Sequence, residues 1–252
     1  MDLDLADRVF LVTGGARGLG RATADCLVAE GARVVLSGRS PESLEDAVAE
    51  LGEEQAVGVV ADNADPATPA RLLSAARDTW GRVDGALISV GGPPPGGTLA
   101  VTDEQWTAAF DSVFLGAVRL GREIGAELPP GGALAFVLSS SVRAPIGNLA
   151  ISNGLRPGLA MVAKSLADEL GPGGIRVNGL LPGRVGTDRL AELDAASGDP
   201  DGNRQRAVAS IPLGRQGEPE EFGRAATFLL SPAASFVSGA MLPVDGGMLR
   251  AL

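Results

Sequence analysis

Val9-Phe10-Leu11-Val12-Thr13-Gly14-Gly15-Ala16-Arg17-Gly18-Leu19-Gly20 is an apolar run that ends in a glycine cluster, and a helical pattern follows it from Arg21 to Glu30. Apolar run, tight turn and helix in this order open a nucleotide-binding βαβ unit. Glycines let a backbone approach a pyrophosphate, and a helix N-terminus offers it unpaired N–H groups and partial positive charge. A glycine-rich turn alone is weak evidence. The second strand pattern at Arg33-Val34-Val35-Leu36 completes the context that the unit requires.

Outward from this stretch, strands and helices alternate to the end of the chain. Strands are expected at 9–12, 33–36, 56–60, 85–90, 133–138, 175–179 and 240–244. Helices are expected from Pro41 to about Leu51, over 69–80, from Thr102 or Asp103 to Leu128, over 152–170 and over 218–230. The strands are continuous apolar runs, as in a sheet covered on both faces. Right-handed crossovers then place all seven in one parallel sheet, a doubly wound, three-layer Rossmann-type α/β sandwich. The whole of 1–252 reads as one domain, with the polar segment 187–216 as a mobile insertion on the substrate side. Loops at 14–20, 37–40, 62–63, 91–97, 139–147 and 182–187 follow the strands and should surround a single cleft.

Composition narrows the chemistry. The 252 residues carry a net charge of -10, and no basic block or interleaved aromatic surface suits nucleic acid. No apolar run is long enough to cross a bilayer, and the start lacks the basic and apolar regions of a secretory signal. One cysteine, Cys26, allows no intrachain disulfide, so a cytoplasmic protein is expected. Histidine and tyrosine are absent, and Lys164 is the only lysine. With so few nitrogen and sulfur ligands, no metal is expected.

The loop Ser37-Gly38-Arg39-Ser40 follows the second strand, where an adenosine ribose is read. It holds no carboxylate for a ribose 2′-OH; Arg39, with Arg17 from the glycine loop, instead suits a 2′-phosphate. NADP(H) is therefore the expected cofactor. Asp62 is placed either for the adenine amino group or as a turn residue.

These residues resemble the short-chain dehydrogenase/reductase family over nearly the whole chain. Thr13-Gly14-Gly15-Ala16-Arg17-Gly18-Leu19-Gly20 is similar to its Thr-Gly-x-x-x-Gly-x-Gly loop, and Asp62-Asn63 to its adenine-contacting pair. Arg176-Val177-Asn178 before Pro182-Gly183-Arg184-Val185-Gly186-Thr187, the segment 211–221 and Val244-Asp245-Gly246-Gly247 resemble its C-terminal third, above all in members similar to 3-oxoacyl-carrier-protein reductases. The resemblance implies cofactor contacts from Gly14, Ala16, Arg17, Gly18, Leu19, Gly20, Arg39, Asp62, Asn63, Gly91, Pro182, Gly183 and Thr187, the last at the nicotinamide carboxamide. It also implies a homotetramer or homodimer.

The same resemblance marks a departure. The family places a tyrosine phenol on the substrate oxygen, a lysine one helical turn later, an orienting serine and a supporting asparagine. Here those positions fall on Ser152, Arg156, Ser141 or Ser140, and Val113. An alkyl hydroxyl is a far weaker acid than a phenol, and arginine stays protonated where lysine can respond. The expected activity is an NADP(H)-dependent oxidoreductase that acts on a carbonyl or related group of a small or carrier-bound metabolite without the Tyr–Lys pair. Its candidate catalytic residues are Ser141, Ser140, Ser152 and Arg156. Two alternatives stay open: a non-redox elimination, isomerisation or cyclisation on the same fold, and a silent cofactor-binding or partner subunit. For the single residues, Ser152 could be the N-cap of its helix and Arg156 could pair with an acid. Arg143, Arg184 and Arg189 border the expected cleft, as anion ligands or as surface.

Overall fold

The computed structural model describes residues 2–196 and 198–250. The apolar runs form parallel strands β1 (Val9–Thr13), β2 (Arg33–Gly38), β3 (Ala56–Val60), β4 (Gly85–Ile88), β5 (Ala133–Val137), β6 (Arg176–Pro182) and β7 (Met241–Val244). Their order is β3-β2-β1-β4-β5-β6-β7. Strand order therefore reverses between β1 and β4, and the loops leaving these two strands diverge into a crevice.

Helices α1 (Gly18–Ala29), α2 (Pro41–Leu51), α3 (Thr68–Trp80), α4 (Asp103–Ala109), α5 (Gly116–Gly125), α6 (Ala150–Leu170), α7 (Asp188–Ala195), α8 (Pro200–Ala209) and α9 (Pro219–Leu230) complete the fold. The strands are apolar throughout because alternate residues enter two different cores. Phe10 and Val12 join Leu27 of α1, Leu44 of α2 and Phe222 of α9. Val9 and Leu11 join Leu72 of α3, Leu120 of α5 and Leu159 of α6. Small residues set the layer spacing. A Cβ at Gly223 of α9 would overlap the carbonyl oxygen of Ala22, so α1 and α9 touch backbone to backbone.

Three expectations change. The helix expected to run unbroken to Leu128 is capped by Thr102 and Gln105 in a reciprocal box, then widens into a π-helical stretch, Phe110–Leu115, before α5. There Gly116 lies against the carbonyl of Asn63, so close that a side chain would overlap it. Helix α6 begins two residues earlier than expected, because the amide of Ala150 is satisfied by the Gly96 carbonyl (3.0 Å). The polar segment 187–216 contains α7 and α8, capped by Thr187 and by Asp199 with Pro200 behind it.

Candidate functional site

The glycine loop is shaped by contacts that only glycine permits. Gly14 and Gly18 are left-handed, with φ of 60° and 61°. A Cβ at Gly20 would overlap the carbonyl of Gly14, and one at Gly15 would lie 2.8 Å from the Val12 carbonyl. Gly18 differs from both: only Thr187 lies near its missing side chain, with Cγ2 at 3.8 Å, so this position faces space rather than packing. Ala16 packs on Gly38, and Leu19 turns its side chain towards the core while its amide stays in the first turn of α1. That turn has no side-chain cap and no acidic residue, so the amides of Gly18, Leu19 and Gly20 are left for a ligand. The loop fits a pyrophosphate.

Beside it, Arg17 and Arg39 are exposed, and their guanidiniums make no hydrogen bond or ion pair among the described residues. Elsewhere Arg8, Arg21, Arg33, Arg82 and Arg184 each meet a carboxylate. Two unpaired guanidiniums thus stand after β1 and β2, where they can supply positive charge. Asp62 spends Oδ1 on the amide of Ala64 (2.9 Å), which is the turn role left open from sequence. Asn63 donates to the Ser89 carbonyl (3.4 Å). Ser89 also exchanges two 2.8 Å hydrogen bonds with the Thr13 hydroxyl, which fasten the ends of β1 and β4. The sequence places Ile88-Ser89-Val90-Gly91 where the family resemblance implies Asn-Asn-Ala-Gly, and it assigns Ser89 no role of its own.

Beyond β4, Gly91 opens onto free space. On the far side, the Gly183 amide bonds to the Val244 carbonyl, and Gly183 packs so closely on Asp245 that a Cβ would meet that side chain at 2.6 Å. Pro182 ends β6 in register with Val244. Thr187 accepts from the Leu190 amide as the cap of α7, which places the start of that helix opposite Gly18.

The serine loop resolves into distinct parts. The Ser139 hydroxyl accepts from the Ser141 amide, and the Ser140 carbonyl accepts from the amides of Arg143 and Ala144, so these two hold a tight turn. The Ser141 hydroxyl lies 3.1 Å from that of Ser152, with the Ser152 carbonyl at 3.3 Å. Both side chains are buried. Ser152 is not the N-cap: Leu149 holds that position, and the loop carbonyl of Gly96 does the capping. Burial of Ser152 in the first turn of α6 is what turns it onto Ser141.

Arg156 lies one turn further along α6 and is 5% exposed. It does not pair with an acid. Its Nη1 donates to the Val137 carbonyl (2.8 Å), its Nη2 to that of Val90 (3.4 Å), and its Nε has no partner. Burial lowers its pKa to about 10, which leaves it a cation at neutral pH. Val113 lies within the π-helical stretch and is buried in the core. Lys164 donates to the Gly239 carbonyl, away from these groups.

The bordering arginines separate. Arg184 is taken up by Asp194, with both carboxylate oxygens within 2.6 Å, and Asn203 donates to the same carboxylate (2.7 Å). It is therefore a fastener for α7 and α8 rather than a ligand for an anion. Arg189 reaches across to the Pro93 carbonyl (2.6 Å) and lies against Gly92. Arg143 lines a shallow cavity with Ser141 and Asn153. Among the described residues no cluster of three or more ligating side chains could hold a metal, and no helix is long and apolar enough to cross a membrane.

Comparison with known proteins matches residues 14–249 to the family described as enoyl-(acyl carrier protein) reductase. An uncharacterized oxidoreductase of Mycobacterium tuberculosis is 35% identical over 247 residues, covering 96% of this chain and 91% of that protein. A 3-oxoacyl-(acyl-carrier-protein) reductase of Salmonella typhimurium is 30% identical over 243 residues, covering 96% and 97%. The structure of L-sorbose reductase from Gluconobacter frateurii, complexed with NADPH and L-sorbose, superposes over 100% of both chains with a TM-score of 0.92 at 29% identity. With the parallel sheet, the glycine loop and these matches in agreement, the chain belongs to the short-chain dehydrogenase/reductase family of NAD(P)-dependent oxidoreductases.

Proposed function

We propose that the protein is an NADP(H)-dependent oxidoreductase that acts on a carbonyl or related group of a small or carrier-bound metabolite by a mechanism without the Tyr–Lys pair. The observation that carries the reading is the buried hydroxyl pair, Ser141 and Ser152, 3.1 Å apart and one helical turn from the cation of Arg156. NADP(H) is supported by the open glycine loop and by the unpaired Arg17 and Arg39, and L-sorbose reductase, of the same fold, is a complex with NADPH.

In this reading NADPH supplies the hydride, and the chain's own residues bind and orient. The first-turn amides of α1 and the space at Gly18 receive the diphosphate; Arg17 and Arg39 receive the 2′-phosphate. Ser152 orients the Ser141 hydroxyl, which donates a hydrogen bond to the substrate oxygen where negative charge develops. No tyrosine or histidine is present to give up the proton, and a serine hydroxyl is too weak an acid to replace them, so it comes from water, a carboxylate or the substrate itself.

NADPH oxidation followed over a panel of small carbonyl compounds, enones and carrier-bound thioesters tests this directly. Ser141→Ala is expected to lower turnover at least about 100-fold while NADPH affinity stays at the wild-type value. NADPH bound tightly with no oxidation across the panel would refute the oxidoreductase reading and favour a silent subunit. Conversion of a substrate at constant NADPH absorbance would favour non-redox chemistry.

A further inference from the structure

A guanidinium as buried as that of Arg156 ordinarily faces a carboxylate, because an unpaired charge is strongly disfavoured away from water. Arg156 faces none among the described residues. Its two terminal nitrogens are held by neutral carbonyls, its Nε is unpartnered, and no acidic group opposes the effect of burial on its proton affinity. With no tyrosine in the chain, no phenolate is available to compensate it either. Its charge is fixed and unneutralised.

Its position gives that charge a consequence. Val137 ends β5, Val90 follows β4, and β4 and β5 are neighbours in the sheet. A dinucleotide on a doubly wound sheet lies across the carboxyl ends, with one half on each side of the reversal in strand order. Arg17 and Arg39, after β1 and β2, mark the adenosine half. The nicotinamide half then falls on the side of β4 and β5, where Arg156 is fastened.

We propose that Arg156 acts as an uncompensated cation that makes the site bind the reduced dinucleotide in preference to the oxidised one. This rests on the NADP(H) reading above. The oxidised nicotinamide ring carries one positive charge that the reduced ring lacks, while the phosphates, riboses and adenine are the same in both. Contacts to those shared parts cancel in the comparison, and the Coulomb interaction of the ring with Arg156 remains. Burial keeps that interaction from being screened by salt.

The test is a pair of dissociation constants, for NADPH and NADP+, measured by calorimetry on the wild-type protein and on Arg156→Gln. Wild type is expected to bind NADPH on the order of tenfold or more tightly than NADP+, with the ratio unchanged by added salt. Arg156→Gln removes the charge but keeps a donor for the strand carbonyls, and its ratio should fall to within about threefold of unity. Wild type binding both forms equally, or Arg156→Gln retaining the wild-type ratio, overturns the proposal while the cofactor reading stands. Wild type binding neither form overturns both. Since the wild-type ratio needs no substitution, a poorly folded variant does not shield the proposal from refutation.

Discussion

Gly18→Ala separates a glycine that serves a ligand from glycines that serve the fold. The residue is left-handed, with φ of 61°, and a methyl group there would meet nothing closer than Thr187 Cγ2 at 3.8 Å. Its folding cost is therefore backbone strain alone, roughly 1–2 kcal/mol. In a chain of this length that corresponds to a fall in Tm of about 2–8 °C. The same methyl stands where a diphosphate must approach the amides of α1. Losing about two charge-assisted hydrogen bonds, at roughly 1.5–3 kcal/mol each, weakens NADPH binding at least about 100-fold. Gly81→Ala is the matching control. Gly81 has φ of 75° at the end of α3, and no atom lies within 4 Å of where its methyl group would stand. It should lose similar stability and keep its NADPH affinity. Gly20→Ala, whose methyl would overlap the Gly14 carbonyl, should damage the whole loop. Thermal melting and NADPH fluorescence titration on all three read the two effects independently. Folded Gly18→Ala with a dissociation constant within about threefold of wild type would refute the placement of the diphosphate.

Three further outcomes follow from the same geometry. Arg39→Ala should lower the preference for NADPH over NADH by about 10- to 100-fold with NADH affinity intact; comparison of the two titrations checks it, and an unchanged ratio removes the 2′-phosphate from this loop. Arg176→Met should lower Tm by about 4–16 °C for a loss of roughly 2–4 kcal/mol, because the Arg176 guanidinium donates to the carbonyls of Leu229, Leu230 and Ser231 at the end of α9. Glu221 is held down to about 2 by the guanidinium of Arg215 and the amide of Glu218. Its stabilising contribution is complete above the ordinary carboxylate range and is lost as pH falls from there towards 2, so thermal melts of Glu221→Gln should lose part of the wild-type decline in that window.

Much of the architecture was legible because a sheet covered on both faces demands unbroken apolar strands, and such runs stand out against polar helix faces. The glycine loop was legible for a related reason: left-handed and close-packed backbone positions admit one residue type, so Gly14, Gly18 and Gly20 are visible as letters. Helices α7 and α8 were not, since α7 is only two turns long and α8 has no apolar face. Their caps, Thr187 and Asp199-Pro200, were the available signal. The start of α6 was misplaced by two residues because its N-terminal amide is satisfied by Gly96, over 50 residues away in the chain, and not by a side chain beside it.

The sequence alone determined the fold class, the place of the glycine loop and the absence of tyrosine and histidine, because these follow from local periodicity and from composition. Tertiary structure decided the rest of the site. It made Ser141 rather than Ser140 the partner of Ser152, gave Arg184 to Asp194, and left Arg17 and Arg39 unpaired beside the glycine loop. It also put Arg156 on two strand-end carbonyls with no acid at hand. Whether a charge or a hydroxyl is occupied depends on groups far away in the chain, and only folding brings those groups within hydrogen-bond distance.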